Sequence, residues 1–281
     1  GNLWKFEKNL SGTWVLGNGG VKLFQARISS TDPVQAITGQ PVAAIVNGEV
    51  MVYFGTGRYL EAGDLTNGDT QSFYAILDKS ENLTVSRANL LQQSIIDSTV
   101  TVSGSTYTLR TVTSNTTTDA SNRGYYLNFP TTTGQPSERV TSTPLIKSFT
   151  TAGLDTRVIF VTSTPTSDPC EKSGSSWLME LSASIGRLGG TSPFDLNNDQ
   201  TFDSSDLVTI GTNANQTVSG LKLNSDLGIV NEITWVEGDP FKGIAYKLLP
   251  GTSGKVESVA NSSDKTTPGG PPKRISWEQI Q

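Results

Sequence analysis

The chain has 281 residues, of which 35% are apolar and 28 are glycine, and its net charge is −5; this suits one large all-β domain and excludes a nucleic-acid partner, which would call for a Lys/Arg patch. Histidine is absent, which excludes Ser-His-Asp and Cys-His nucleophilic sites and the usual histidine-bearing zinc and copper sites within the chain. With Cys170 as the single cysteine, no intrachain disulfide can form, and a core or a metal must hold the fold.

In chain order, Gly1-Asn2-Leu3-Trp4-Lys5-Phe6 reads as an orphaned closing strand, so the sequence is expected to be a fragment of a longer protein. Residues 40–78 then form a unit of three short strands. Gln40-Pro41-Val42-Ala43-Ala44-Ile45 opens it, Val50-Met51-Val52-Tyr53-Phe54-Gly55 follows, and Ser72-Phe73-Tyr74-Ala75-Ile76-Leu77-Asp78 closes it. A short helix is predicted over 88–95, then a half-exposed hairpin from the alternation Thr99-Val100-Thr101-Val102 and Tyr107-Thr108-Leu109. Residues 113–122 are polar and turn-rich, hence a loop.

A second unit over 143–183 answers the first. Thr143-Pro144-Leu145-Ile146, Arg157-Val158-Ile159-Phe160-Val161 and Ser176-Trp177-Leu178-Met179-Glu180-Leu181 take the three strand places. A poorer copy spans 229–236 and 243–248. Repeated units of about 40 residues made of strands are what propeller blades look like, and a blade must stack on neighbours to bury both faces. A β-sandwich is the alternative. The expected division is a propeller domain over 1–250 and, over 251–281, a linker ending in a docking segment at Arg274-Ile275-Ser276-Trp277.

The stretch Asp195-Leu196-Asn197-Asn198-Asp199-Gln200-Thr201-Phe202-Asp203-Ser204-Ser205-Asp206 places oxygen side chains at positions 1, 3, 5, 9 and 12 of a twelve-residue loop. Calcium takes six to eight oxygen ligands, and this spacing supplies them from Asp195, Asn197, Asp199, Asp203 and Asp206, with the Thr201 carbonyl as a further donor. Gln200 stands where glycine usually permits the sharp turn, and Asp206 is one methylene shorter than glutamate. A short helix is expected to start at Ser205. Without a cation the four aspartates would repel one another, the other reading being a solvated cluster of Asx-turns.

Other candidates are weaker. Gly55-Thr56-Gly57-Arg58-Tyr59-Leu60-Glu61 lacks the lysine of a phosphate loop and reads as a tight strand exit, with Arg58 and Glu61 paired. Asp64 with Asp69, or Glu232 with Glu237, are carboxylate pairs that nothing in the sequence selects for glycoside hydrolysis. Trp4, Trp14, Trp177, Trp235 and Trp277 are expected to pack between blades.

The opening Gly1–Phe6 string, Gln40-Pro41-Val42, Phe54-Gly55-Thr56-Gly57-Arg58-Tyr59-Leu60, Gln71-Ser72-Phe73-Tyr74-Ala75-Ile76, the Asp195 loop and Arg274–Trp277 together resemble the C-terminal domain of the PilC/PilY family of type IV pilus biogenesis factors and tip adhesins. The resemblance implies a modified seven-bladed β-propeller similar to quinoprotein folds, complete or not within this chain. It also implies a non-enzymatic role in which calcium tunes pilus extension against retraction, twitching motility and surface attachment. Minor pilins, other pilus-tip components and a host-surface ligand are the implied partners, and the Gram-negative cell surface, outer membrane or pilus tip the implied location. The rival functions are a quinone-cofactor dehydrogenase on the same fold and a carbohydrate-binding surface protein with a structural calcium. No Arg-Gly-Asp motif occurs.

Overall fold

The computed structural model describes residues 1–79, 81–150, 155–166 and 174–265. Cys170, Trp277 and the proposed docking segment lie outside the described residues. The chain is all-β, its only helices being single turns of 3-10 type among the described residues.

The first unit begins with Val42–Val46 and Glu49–Gly55, joined through Asn47 and Gly48, whose φ angles of 53° and 83° make the tight turn that matches strand twist. Ser72–Asp78 pairs next to Glu49–Gly55, from Gly55 opposite Phe73 to Val50 opposite Asp78. Gly124–Asn128 adds on antiparallel, and Leu91–Gln93 closes a five-stranded sheet in parallel pairing. The second unit repeats the pattern with Leu145–Lys147, Arg157–Pro165 and Gly174–Ser182. Its sheet grows to six strands by adding Gly220–Lys222 and the hairpin Ser105–Val112 and Ile95–Val102. That hairpin turns at Ser103 and Gly104, again both at positive φ. Thr234–Glu237, Ile244–Pro250 and Val256–Ser262 form a three-stranded antiparallel sheet, so the third strand lies beyond the expected division at 250.

These sheets stack face to face. Met51, Tyr53, Phe73 and Ala75 of the first unit meet Val158, Phe160, Met179 and Leu181 of the second, and Phe73 lies flat on Phe160 with centroids 3.9 Å apart. The opposite face of the first unit carries Phe54, Tyr74 and Ile76 onto Leu23, Phe24, Ala26 and Val85. The opposite face of the second carries Ile159, Val161 and Leu178 onto Phe194, Leu196, Val208, Leu227 and Leu249. Both faces of each central strand are thus buried, which explains why Val158-Ile159-Phe160-Val161 is continuously apolar instead of alternating.

Three expectations are corrected. Residues 88–95 do not form a helix. A single 3-10 turn, Arg87–Asn89, is closed by reciprocal bonds between Ser86 and Asn89, and the chain then extends so that Leu91–Gln93 can pair with Tyr125–Leu127. Ser204–Asp206 is likewise one 3-10 turn, followed by Val208–Ile210 paired with Asn213–Gln216. Among the tryptophans, Trp177 is buried, but Trp4 and Trp14 are 45% and 64% exposed and do not pack between sheets. Trp14 belongs to a small hairpin with Phe6–Lys8, whose residues are all exposed.

Candidate metal-binding loop

The loop at 195–206 is clamped at both roots by the core. Phe194 and Leu196 are buried on one side, and Val208 and Ile210 on the other. Between them the chain winds outward, and each odd-numbered acceptor takes an N–H from further along. Asp195 accepts from the N–H groups of Asp199 at 3.2 Å and Gln200 at 2.9 Å. Asn197 accepts from Asp199 at 3.0 Å, Asp199 from Thr201 at 2.8 Å, and Asp203 from Ser205 at 2.7 Å. Asp206, fully buried, accepts from Leu196 at 2.7 Å and Asp203 at 3.2 Å and so ties the end of the loop to its beginning.

The turn at position 6 is made without glycine: Gln200 adopts φ 64°, and Asn198 φ 59°. Left-handed backbone is tolerated by asparagine and strained for a longer side chain. Gln200 is held there by the Asp195 carboxylate on its N–H and by Lys242 Nζ, which donates to its side chain at 2.6 Å. Asn198 reaches the Tyr107 hydroxyl at 3.4 Å, so the loop touches both the long hairpin and the turn of the three-stranded sheet.

The carboxylates divide electrostatically. The Thr201 hydroxyl and N–H, with the Asn197 amide, hold Asp199 below the ordinary aspartate range, and the Ser205 N–H and hydroxyl do the same for Asp203. Burial pushes Asp206 up, against the pull of the N–H groups it accepts. The donor set is oxygen throughout, which suits a hard cation. Each acid nevertheless faces backbone N–H groups, and among the described residues no three acidic or cysteine side chains are gathered at metal-ligating spacing. The spacing and oxygen donors are of the kind a hard cation takes, but the side chains are turned to the loop's own N–H groups and do not converge on one point.

A cluster that the sequence reading missed lies beneath the loop root. Glu180 is wholly buried, 2.7 Å from Arg157 Nη1 and paired on its other oxygen with Lys247 Nζ, with Asn261 Nδ2 at 3.3 Å. Lys247 also sits 4.3 Å over the Phe194 ring. Burial opposes ionisation of Glu180, but the cations Lys247 and Arg157 hold it below the ordinary glutamate range.

The Phe54–Leu60 string is structural. Arg58 pairs with Glu61 and Asp64, each at 2.7 Å. Asp64 also accepts the N–H groups of Leu60 and Glu61, which lower it. Gly57 has φ 135°, and a Cβ there would stand 2.4 Å from Cβ of Arg139. Arg139, buried without a carboxylate partner among the described residues, binds the carbonyls of Arg58, Asp64, Asn67 and Ser137. Asp69 accepts from Asn67, Glu232 is exposed, and Glu237 bonds Lys147, Trp235 and Ser263. Asp64 and Asp69 line one cavity, where Asp64 is committed to Arg58 and two backbone N–H groups and Asp69 accepts from Asn67.

No protein-family model matches the chain. It is 34% identical over 198 residues to a type IV pilus biogenesis factor PilY1 homolog of Xylella fastidiosa, a match covering 66% of this chain and 13% of that protein. A second PilY1 homolog of the same organism is 31% identical over 202 residues, covering 70% of this chain and 15% of that one. The chain thus spans less than a sixth of the length of these relatives. The crystal structure of the Pseudomonas aeruginosa PilY1 C-terminal domain superposes with a TM-score of 0.72 at 22% identity, over 93% of this chain and 55% of that one.

Proposed function

We propose, taking as premise that the chain is homologous to the PilY1 type IV pilus biogenesis factors, that it is a non-enzymatic domain acting in type IV pilus assembly at the Gram-negative cell surface, outer membrane or pilus tip. The observation that carries the reading is the match of fold to the PilY1 C-terminal domain along nearly the whole chain. The stacking of the sheets, each burying both faces against neighbours, supports a propeller in whole or part, and the number seven rests on the family resemblance alone. The lack of histidine in the sequence accords with a binding role.

Asp195, Asn197, Asp199, Asp203 and Asp206, with the Thr201 carbonyl, are the residues that would hold calcium. Bound calcium would supply the positive charge that four neighbouring carboxylates lack. The loop root then works on the sheet: Phe194 lies under Lys247, which pairs with Glu180 of the six-stranded sheet. The loop also contacts the long hairpin through Tyr107. Ordering 195–206 sets these contacts and the surface offered to minor pilins, other tip components or a host-surface ligand. In this way the loop biases extension against retraction, and with it twitching motility, attachment and virulence.

Titration calorimetry on chelator-stripped protein tests the site. Binding at micromolar or tighter affinity is expected, with loss in Asp199→Ala and Asp203→Ala. Calcium at a hundredfold excess over Kd should raise the unfolding free energy by about 2.7 kcal/mol. Absence of binding would reduce the loop to an Asx-turn cluster. For the pilus role, full-length protein carrying Asp203→Ala should fail to restore normal piliation and twitching to a deletion strain.

A further inference from the structure

The chain carries more acid than base, yet in one of its cavities the charged lining residues are all bases. It encloses about 640 Å³ between residues 22–30 and 84–88, with Tyr126 on its wall. Lys22, Arg27 and Arg87 line it, and no Asp or Glu does. The neighbouring cavity of about 390 Å³, which shares Ile28, makes the contrast. There Asp32, Asp64 and Asp69 share the lining, and Arg58 is paired with Asp64 and Glu61.

The two arginines of the larger cavity are held in place without being neutralised. Arg87 lies 3.9 Å over the Tyr126 ring, and its Nη1 bonds the Arg27 carbonyl at 3.1 Å and the Tyr74 hydroxyl, while Nη2 bonds Asn128. Arg27 donates through Nη1 to the Ser30 carbonyl at 3.0 Å, and its Nε is buried with no partner. All these acceptors are neutral. Among the described residues neither arginine nor Lys22 forms an ion pair with a carboxylate. Gathering three cations in a recess without a counterion is unfavourable. Planar guanidinium groups fixed in advance suit the oxygens of a carboxylate or phosphate.

We propose that this cavity is a binding site for an oxyanion, a carboxylate or phosphate group, carried on a ligand of about the size of a sugar. The volume exceeds what inorganic phosphate needs and falls in the range of small-molecule sites. Lys22, Arg27 and Arg87 supply the charge. Serine and threonine hydroxyls on the same wall, at Ser30 and Thr84, supply neutral polar contacts. The site lies apart from the 195–206 loop and does not depend on calcium there.

The test is calorimetric titration of chelator-stripped protein, at low ionic strength, with sodium glucuronate, inorganic phosphate and glucose. Both anions should bind and glucose should not, and affinity should fall as sodium chloride is added. Arg27→Gln should weaken anion binding about tenfold, and Lys22→Gln, on a half-buried side chain, about threefold. If Arg27→Gln fails to fold, Lys22→Gln carries the test. Glucuronate binding tighter than phosphate assigns the site to a sugar acid, and equal affinities assign it to the oxyanion alone; either result upholds the site. No binding of either anion, binding unchanged in the folded variants, or glucose binding as well as glucuronate overturns it.

Discussion

The unit at 42–78 and the unit at 145–182 present matched apolar faces to one another and differ on the faces turned away. Behind the first lies an aromatic cluster in which Phe24, Phe54 and Tyr74 have centroids 4.9 to 6.1 Å apart. Behind the second, Glu180 shares the face of Ile159, Val161 and Leu178 and meets Lys247 from the three-stranded sheet. The same three-strand frame thus docks one neighbour by aromatic packing, which tolerates small shifts, and the other by an apolar patch that also holds a buried ion cluster, which permits one arrangement. Such clusters add little net stability compared with well-packed apolar residues, yet removing one member leaves an unpaired charge in the interior.

Breaking the second face should have the larger effect. Glu180→Ala strands Lys247 and Arg157 together in the core and is expected to cost about 3–5 kcal/mol, read as a lower urea midpoint. Acid should probe the same cluster more gently. The folded-state pKa of Glu180 is depressed, so its contribution is present above the unfolded value of about 4.3 and fades as pH falls through the lower folded value. Denaturation at neutral pH and at about pH 3.5 should show a drop for the wild type, and a smaller one for Glu180→Gln. On the first face, Tyr74→Phe removes the hydroxyl that donates to buried Gln35 Oε1 at 2.6 Å and should cost about 1–3 kcal/mol with the aromatic packing intact. Equal losses from Glu180→Ala and Tyr74→Phe would erase the distinction between the two faces.

The sequence made some of these features legible and hid others. Strands of both units could be read because apolar runs were bounded by Gly, Asn and Ser. The hairpin ending at Val112 could be read from its alternation. The 88–95 segment misled because apolar spacing there mimics a helix, whereas its conformation is decided by parallel pairing with Tyr125–Leu127, some thirty positions away. The loop acids stood out by spacing alone, and the structure shows how their N–H bonds wind the chain even at Gln200. Glu180, Arg157 and Lys247 did leave a signal, a charge within or beside an apolar run, but which charges meet depends on sheet stacking. Arg139 left none, since its partners are main-chain carbonyls that any residue supplies.

The strand order of the six-stranded sheet has a consequence for how the chain acquires its shape. Arg110 pairs with Gly220, and Leu109 with Leu221, so the long hairpin joins the second unit only through a strand that arrives much later in the chain. The five-stranded sheet, by contrast, has all its strands in place by Asn128. A chain emerging N-terminus first can therefore complete one sheet while the hairpin at 95–112 waits with an open edge, and contacts of such wide sequence separation form slowly. The threonines that alternate along that hairpin keep its waiting surface wettable, which guards a nascent chain against pairing with its neighbours.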